Sequence, residues 1–295
     1  NATAPWTNYV AGVAKVLQES GLNLSGFDGL LHSTVPMSSG LSSSAALEMA
    51  TSVLFELASG FTLDPVQRAL LGQRAENQFV GVNCGILDQY TSSLGQAGCA
   101  LLLDCRSLES RPVPIAPGIQ IVICDTQSKR ELAGSEYGQR RAQCEEGARL
   151  LGLSALREIE PVEFYTREAE LPAEVAKRCR FIVEENARVL ALADALTTKD
   201  RPQIAALTAA SFAGAQNLYE ITIPAMEEMR AAMLSGPGII GARQAGAGFG
   251  GCMVAFVDVE AVDAFAAHTS ATYRAATGIL PKIYPVQAAA GAGTV

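Results

Sequence analysis

Apolar residues recur at helical spacing over residues 5–19, at Tyr9, Val10, Val13, Val16 and Leu17, and Gly21 marks the end of that run. A strand is predicted over 27–35. A Gly/Ser loop then feeds an alanine-rich helix over 42–57, closed by Gly60. Asp64-Pro65 reads as an N-cap followed by a first-turn proline, opening a helix to about Phe79. A short helix after Gly85 ends near Leu94-Gly95. The runs 100–104 and 118–125 have the length and content of buried strands. Between them Arg111-Pro112-Val113-Pro114-Ile115-Ala116-Pro117 reads as a proline-rich crossing, which places a domain boundary near residue 118: one domain over 1–118 and a second over 119–295.

The second half is predominantly helical in pattern, over 135–151, 172–196, 202–213 and 224–233. From Gly238 it changes to strand, glycine loop, strand (253–257), helix (259–272) and a last strand (282–286), an α+β layer. The glycine loop, Gly246-Ala247-Gly248-Phe249-Gly250-Gly251, carries more glycine than a hairpin needs, so its backbone is expected to pass close to something bulky. The tail 288–295 is low in complexity.

Composition narrows the function classes. A chain of 295 residues with 49% hydrophobic content can bury two cores. Its net charge of −8 argues against a nucleic-acid surface or an anionic membrane and favours a small soluble ligand. No run reaches membrane-spanning length and no signal core opens the chain, so a cytoplasmic location is expected. Seven cysteines without a Cys-x-x-Cys pair are expected to be buried, reduced thiols. Two histidines, His32 and His268, leave little material for a zinc site or a Ser-His pair.

The candidate chemistry lies in Pro36-Met37-Ser38-Ser39-Gly40-Leu41-Ser42-Ser43-Ser44-Ala45-Ala46. Gly40 permits close backbone approach, the amides of the following helix start point at an anion, and a serine hydroxyl can ligate Mg²⁺. The other reading of the loop is a flexible connector. It lacks the lysine of a Walker loop, so its cations must come from elsewhere. A kinase without a Walker lysine would need one acid for Mg²⁺ and another near the acceptor hydroxyl. Glu76 and Asp88 are the candidates. Glu76 near a helix end also reads as a solvated surface acid, and Asp88, one turn past Gly85, also reads as a favourable first-turn charge.

Together these segments resemble the galactokinase branch of the GHMP small-molecule kinases, in order and at family spacing. The resemblance runs through 36–46, 76–89, 100–109, Ser135-Glu136-Tyr137 with Arg140-Arg141, and Gly241-Ala242-Arg243 through Cys252. It implies a two-domain α+β fold, with an incomplete ribosomal-S5-like N-terminal domain and a ferredoxin-like C-terminal domain. It also implies transfer of the ATP γ-phosphoryl group to the anomeric C1 hydroxyl of galactose. Asp88 matches the catalytic acid, Lys129 a basic family position, and Ser44 and Glu76 the Mg²⁺ ligands. Trp6, Gly40, Leu41, Ser42, Ser43, Ser44, Ala45, Gly246, Gly248 and Gly250 match nucleotide-contacting positions, and Gly85, Asp88 and Tyr137 match positions at the sugar. ATP, Mg²⁺ and a sugar are the implied ligands; no nucleic acid, membrane or obligate protein partner is implied.

The family's first motif, with its Glu-His-x-Asp sugar contacts, has no counterpart here, so the chain is expected to be a fragment lacking the first strands of its N-terminal domain. Asn77, Asp125-Thr126-Gln127 and Gln244-Ala245 depart from the family pattern. A galactokinase-like sensor without turnover, or a 1-kinase for arabinose, galacturonate or N-acetylgalactosamine, remains open at this stage.

Overall fold

A computed structural model describes residues 4–36, 40–128, 133–246 and 248–294; of 133–135 and 137 it describes the backbone only. The chain divides into two compact units, Asn1–Pro114 with Gln287–Val295, and Ile115–Val286.

The first unit is helical with one β-ribbon. It holds α1 (Thr7–Glu19), α2 (Ser43–Ser59), α3 (Pro65–Arg74) and α4 (Leu87–Leu94), then β1 (Cys99–Leu103) and β2 (Ser110–Pro114). Capping chemistry sets these bounds. Asp64 accepts hydrogen bonds from the Val66 and Gln67 amides, and Pro65 supplies the preset first turn of α3. Gly60, at φ +74°, ends α2 in the left-handed conformation that glycine takes without steric cost. A π-helical turn, Ala75–Val80, continues α3. Val13, Val16 and Leu17 of α1 pack with Phe55, Leu63 and Ala75 in one core cluster. Glu56 and Arg68 add a buried bidentate pair between α2 and α3, at 2.7 and 3.0 Å.

Two expectations differ here. Residues 27–35 form no strand among the described residues: they run irregularly along the surface, with Leu30 97% exposed. Hydrophobic content alone does not make a strand; a ladder partner is required, and none of the described segments supplies one. Conversely, the start of the proline-rich crossing is a strand. Pro112 and Pro114 lie opposite Leu101 and Cys99 in an antiparallel ribbon. In a two-stranded ribbon each strand has an outer edge, and prolines two residues apart turn their missing donors to the same side.

The second unit opens with β3 (Ile119–Asp125), followed by α5 (Ala133–Leu150), α6 (Pro161–Arg167), α7 (Ala173–Thr198), α8 (Arg201–Gly214) and α9 (Pro224–Leu234). It closes with β4 (Ile239–Gln244), β5 (Cys252–Asp258), α10 (Val262–Thr277) and β6 (Lys282–Val286). The sheet order is β4-β5-β3-β6, antiparallel throughout, which within this unit is second-third-first-fourth: the ferredoxin-like order. Phe212 of α8, Met226, Met229 and Met233 of α9, and Phe265 and Tyr273 of α10 bury the sheet residues Val122, Ala242, Met253, Ala255 and Val257. Methionine's unbranched, adaptable side chain suits the irregular gap between crossing helices and a twisted sheet. A second cluster joins Phe164 of α6 and Cys179 and Val183 of α7 to Leu151 and Leu156. The helix α6 was not apparent in the sequence pattern, because seven residues give under two turns of periodicity.

None of the seven cysteines is in a disulfide. Cys124, Cys179 and Cys252 are buried, but Cys105 is exposed, contrary to the expectation of uniform burial. Burial pushes the Cys124 and Cys179 thiols up to about 12. Among the described residues no helix is long and apolar enough to cross a membrane.

Candidate active site

In the first unit the serine-loop candidates lie at the start of α2. Gly40 lies at φ +80° and Ser42 at φ +56°, a left-handed conformation that costs a serine about 1 kcal/mol or more and that clusters at ligand-binding turns. Ser42 is the N-cap, yet its side chain makes no capping bond. Ser43, Ser44 and the buried Ala45 form the first turn, whose amides lack intrahelical acceptors by helix geometry. Leu41 is half-buried. Pro36 and Gly40 flank residues outside the description. Trp6 is the N-cap of α1 and is half exposed.

Glu76 lies in the π-helical turn and is buried, not solvated. Its Oε2 accepts from Gln89 Nε2 at 2.5 Å and from the Cys84 thiol at 3.3 Å. The same Gln89 nitrogen donates to Glu48 Oε2 at 3.0 Å. Glu48 is fully buried on α2, one turn after Ser44. Burial drives its carboxyl up to about 8, opposed by the Gln89 hydrogen bond and reinforced by the negative charges of Glu76 and Asp88. Around this cluster, burial and Glu76 push the Cys84 thiol up to about 12, and burial with Glu76, Glu48 and Cys84 raises the Tyr9 hydroxyl.

Asp88 stands in the first turn of α4, exposed, so its charge needs no buried partner. The reason is the face it occupies. Ile86, Gln89, Tyr90 and Ser93 turn inward, whereas Leu87 and Asp88 turn out. Gly85, just before α4, is exposed with open space where a side chain would be. Asn77 fixes the preceding loop by accepting from the Cys84 amide at 2.9 Å and donating to its carbonyl at 3.4 Å.

In the second unit the glycine loop follows β4. Gly248 has a cause within the unit: at φ +84°, a Cβ there would sit 2.4 Å from the Ile221 carbonyl oxygen, which also accepts from the Phe249 amide at 2.7 Å. Gly241 is required too, by Thr208 of α8 at 2.3 Å. Gly246, at φ +69°, has nothing within 4 Å of such a Cβ, and Gly250, at φ +118°, donates its amide to the Met226 sulfur at 3.2 Å. Ala247 lies outside the described residues, as does Lys129. Tyr137 falls in the first turns of α5, and its side chain is outside the description. Arg140, in the same stretch, donates to the Tyr219 carbonyl at 2.6 Å. Gln244 is buried, and its Oε1 accepts no hydrogen bond from the described residues.

Sequence reading did not single out Glu48 or Gln89. A signal exists for Glu48: Ala45, Glu48, Met49, Ser52 and Phe55 fall at core-facing spacing on α2, so an acid sits where an apolar residue belongs.

Glu76 and Ser44 offer a carboxylate and a hydroxyl, hard oxygen donors of the kind Mg²⁺ takes when phosphates and water complete its shell. The buried Glu76 carboxylate, oriented by Gln89, fits that role.

The chain is similar to known proteins over nearly its whole length. Residues 8–96 match the GHMP kinases N terminal domain and residues 192–275 the GHMP kinases C terminal. The chain is 43% identical to a galactokinase of Chloroflexus aggregans over 98% of its own length and 75% of that protein's, and 42% identical to one of Chloroflexus aurantiacus over the same shares. It superposes on Lactococcus lactis galactokinase complexed with galactose with a TM-score of 0.89 at 31% identity, covering 97% of this chain and 76% of that one. An L. major mevalonate kinase, at TM-score 0.61 and 17% identity, shares the fold. The chain therefore belongs to the galactokinase family of GHMP kinases.

Proposed function

We propose that this protein phosphorylates galactose at its anomeric C1 hydroxyl with ATP, giving galactose 1-phosphate and ADP. The observation that carries the reading is the 43% identity to a galactokinase across nearly the whole chain, with the serine loop, Glu76 and Asp88 all present.

In this reading the unpaired amides and positive dipole end of α2, with the Ser42 to Ser44 hydroxyls, receive the nucleotide phosphates. Glu76 and Ser44 would hold Mg²⁺, which supplies charge neutralisation on the phosphates when bound. The C1 oxygen forms a bond to the γ-phosphorus as the bond to the ADP oxygen breaks, and the hydroxyl proton passes to the Asp88 carboxylate. Its exposure leaves Asp88 open to a sugar. Gly85, with no side chain, and Tyr137 border the sugar, Lys129 neutralises the transferring phosphoryl group, Trp6 stacks near adenine, and Gly246, Gly248 and Gly250 admit the nucleotide. The protein works in the cytoplasm.

The test is ADP release by the full-length gene product with Mg-ATP and galactose, arabinose, galacturonate or N-acetylgalactosamine. Galactose-dependent turnover is expected, falling about 10²- to 10⁴-fold in Asp88→Asn with galactose binding retained, and falling also in the folded Lys129→Met. Binding of both ligands without turnover points to a sensor; turnover confined to another sugar reassigns the substrate.

A further inference from the structure

Three pieces of the proposed site lie on three separate elements of the first unit: Ser44 on α2, Glu76 on the π-helical turn after α3, and Asp88 on α4. None of these side chains is shown bonded to another. One side chain reaches all three elements. Gln89 belongs to α4, directly after Asp88; its Nε2 donates one hydrogen to Glu76 on the π turn and the other to Glu48 on α2, one turn beyond Ser44. An amide nitrogen carries two hydrogens, so both are used. The orientation is set by Glu76, because turning the amide over would place its oxygen against the Glu76 carboxylate.

The surroundings are specific. Gln89 and Glu48 are fully buried and Glu76 nearly so. Gln89 Oε1 and Glu48 Oε1 have no hydrogen-bond partner among the described residues. A core selected for stability alone would put apolar residues here, since a half-satisfied buried polar network costs more than a hydrocarbon one. Gly72 of α3 closes the pocket: a Cβ there would meet Met49 at 2.3 Å and Gln89 at 3.4 Å. That glycine makes room for the Met49 methyl, while the Gln89 Cγ would stay at ordinary contact distance.

We infer that Gln89 is a positioning residue, which touches no substrate but sets the Glu76 carboxylate in place relative to the Ser44 helix and the Asp88 helix. This rests on the reading of Glu76 as the Mg²⁺ ligand. Groups that hold a metal's ligands in place commonly govern metal affinity by 10- to 100-fold, which gives the expected size of the effect.

The test is Mn²⁺ binding, followed by electron paramagnetic resonance, in the presence of a non-hydrolysable ATP analogue, on the full-length wild type and on Gln89→Met. The expected result is Mn²⁺ affinity lower by about tenfold or more in the variant. Analogue affinity in excess EDTA, and the circular dichroism spectrum, should match wild type. A merely structural role would not separate metal affinity from nucleotide affinity in this way. If Gln89→Met does not fold, Gln89→Asn, whose amide is one methylene too short to span both acids, takes its place with the same expectation. A folded variant that binds Mn²⁺ as wild type does overturns the inference alone; a wild type that turns over galactose without binding Mn²⁺ beside the analogue overturns the metal role of Glu76 and the inference with it.

Discussion

The residue with the most distinctive chemistry is Glu48, because a carboxyl with no charge partner among the described residues is fully buried. Its ordinary value of 4.5 rises to about 8, chiefly through desolvation. The folded state thus keeps a proton that the unfolded chain has released above about pH 4.5. Stability linked to that proton is fully present at lower pH and declines as pH climbs towards 8. Glu48→Gln keeps an acceptor for Gln89 but cannot ionise. Between pH 5.5 and 8 the wild type should therefore lose about 1–3 kcal/mol more unfolding free energy than Glu48→Gln. Denaturant unfolding at the two pH values measures this, and parallel losses in both proteins would show that Glu48 ionises at its ordinary value.

At the scale of elements, the glycine loop separates packing from binding. Gly248→Ala places a methyl against the Ile221 carbonyl in a left-handed backbone and should cost about 1–3 kcal/mol or more. Gly246→Ala meets no neighbour and carries only the left-handed penalty, about 1 kcal/mol. Melting temperatures should fall in that order. If the loop admits nucleotide as proposed, Gly246→Ala should nevertheless weaken ATP binding more than its small stability loss explains. Calorimetric titration that finds the ATP affinity of Gly246→Ala unchanged removes Gly246 from the site. These elements also show what a sequence discloses. Helices with caps were legible, α3 from Asp64-Pro65 and α2 from Gly60, because capping is local chemistry. Residues 27–35 and 110–114 were misread because a strand is a relation between two segments. In the candidate site, local motif and resemblance singled out the serine loop and Asp88. Gln89 was not singled out, since its role depends on Glu48, 41 residues away, and on Glu76, 13 away.

At the scale of the whole molecule, the first unit is completed by the last residues of the sequence. After β6 the chain returns, and Gly98 donates to the Ala288 carbonyl at 3.0 Å, Gly291 to Gly95 at 2.8 Å and Ala292 to Ser92 at 2.8 Å. Gly291 in this tail has a steric cause. A Cβ on Gly291 would lie 2.2 Å from the Ser93 carbonyl oxygen, so only glycine lets the two backbones approach. Those bonds hold the end of α4 and the turn into β1, a short helix and a two-stranded ribbon with few other backbone ties. Deleting residues 288–295 should therefore raise amide hydrogen exchange over 87–103 while leaving β3 and β5 of the second unit protected. Exchange followed by mass spectrometry separates the outcomes: equal loss in both units would mean that the tail supports the protein globally, and no loss would mean that α4 stands without it. A local loss bears on chemistry, because the helix that the tail secures carries Asp88 at its first turn and Gln89 beside it. Turnover should then fall with the tail removed even though none of its residues belongs to the proposed site.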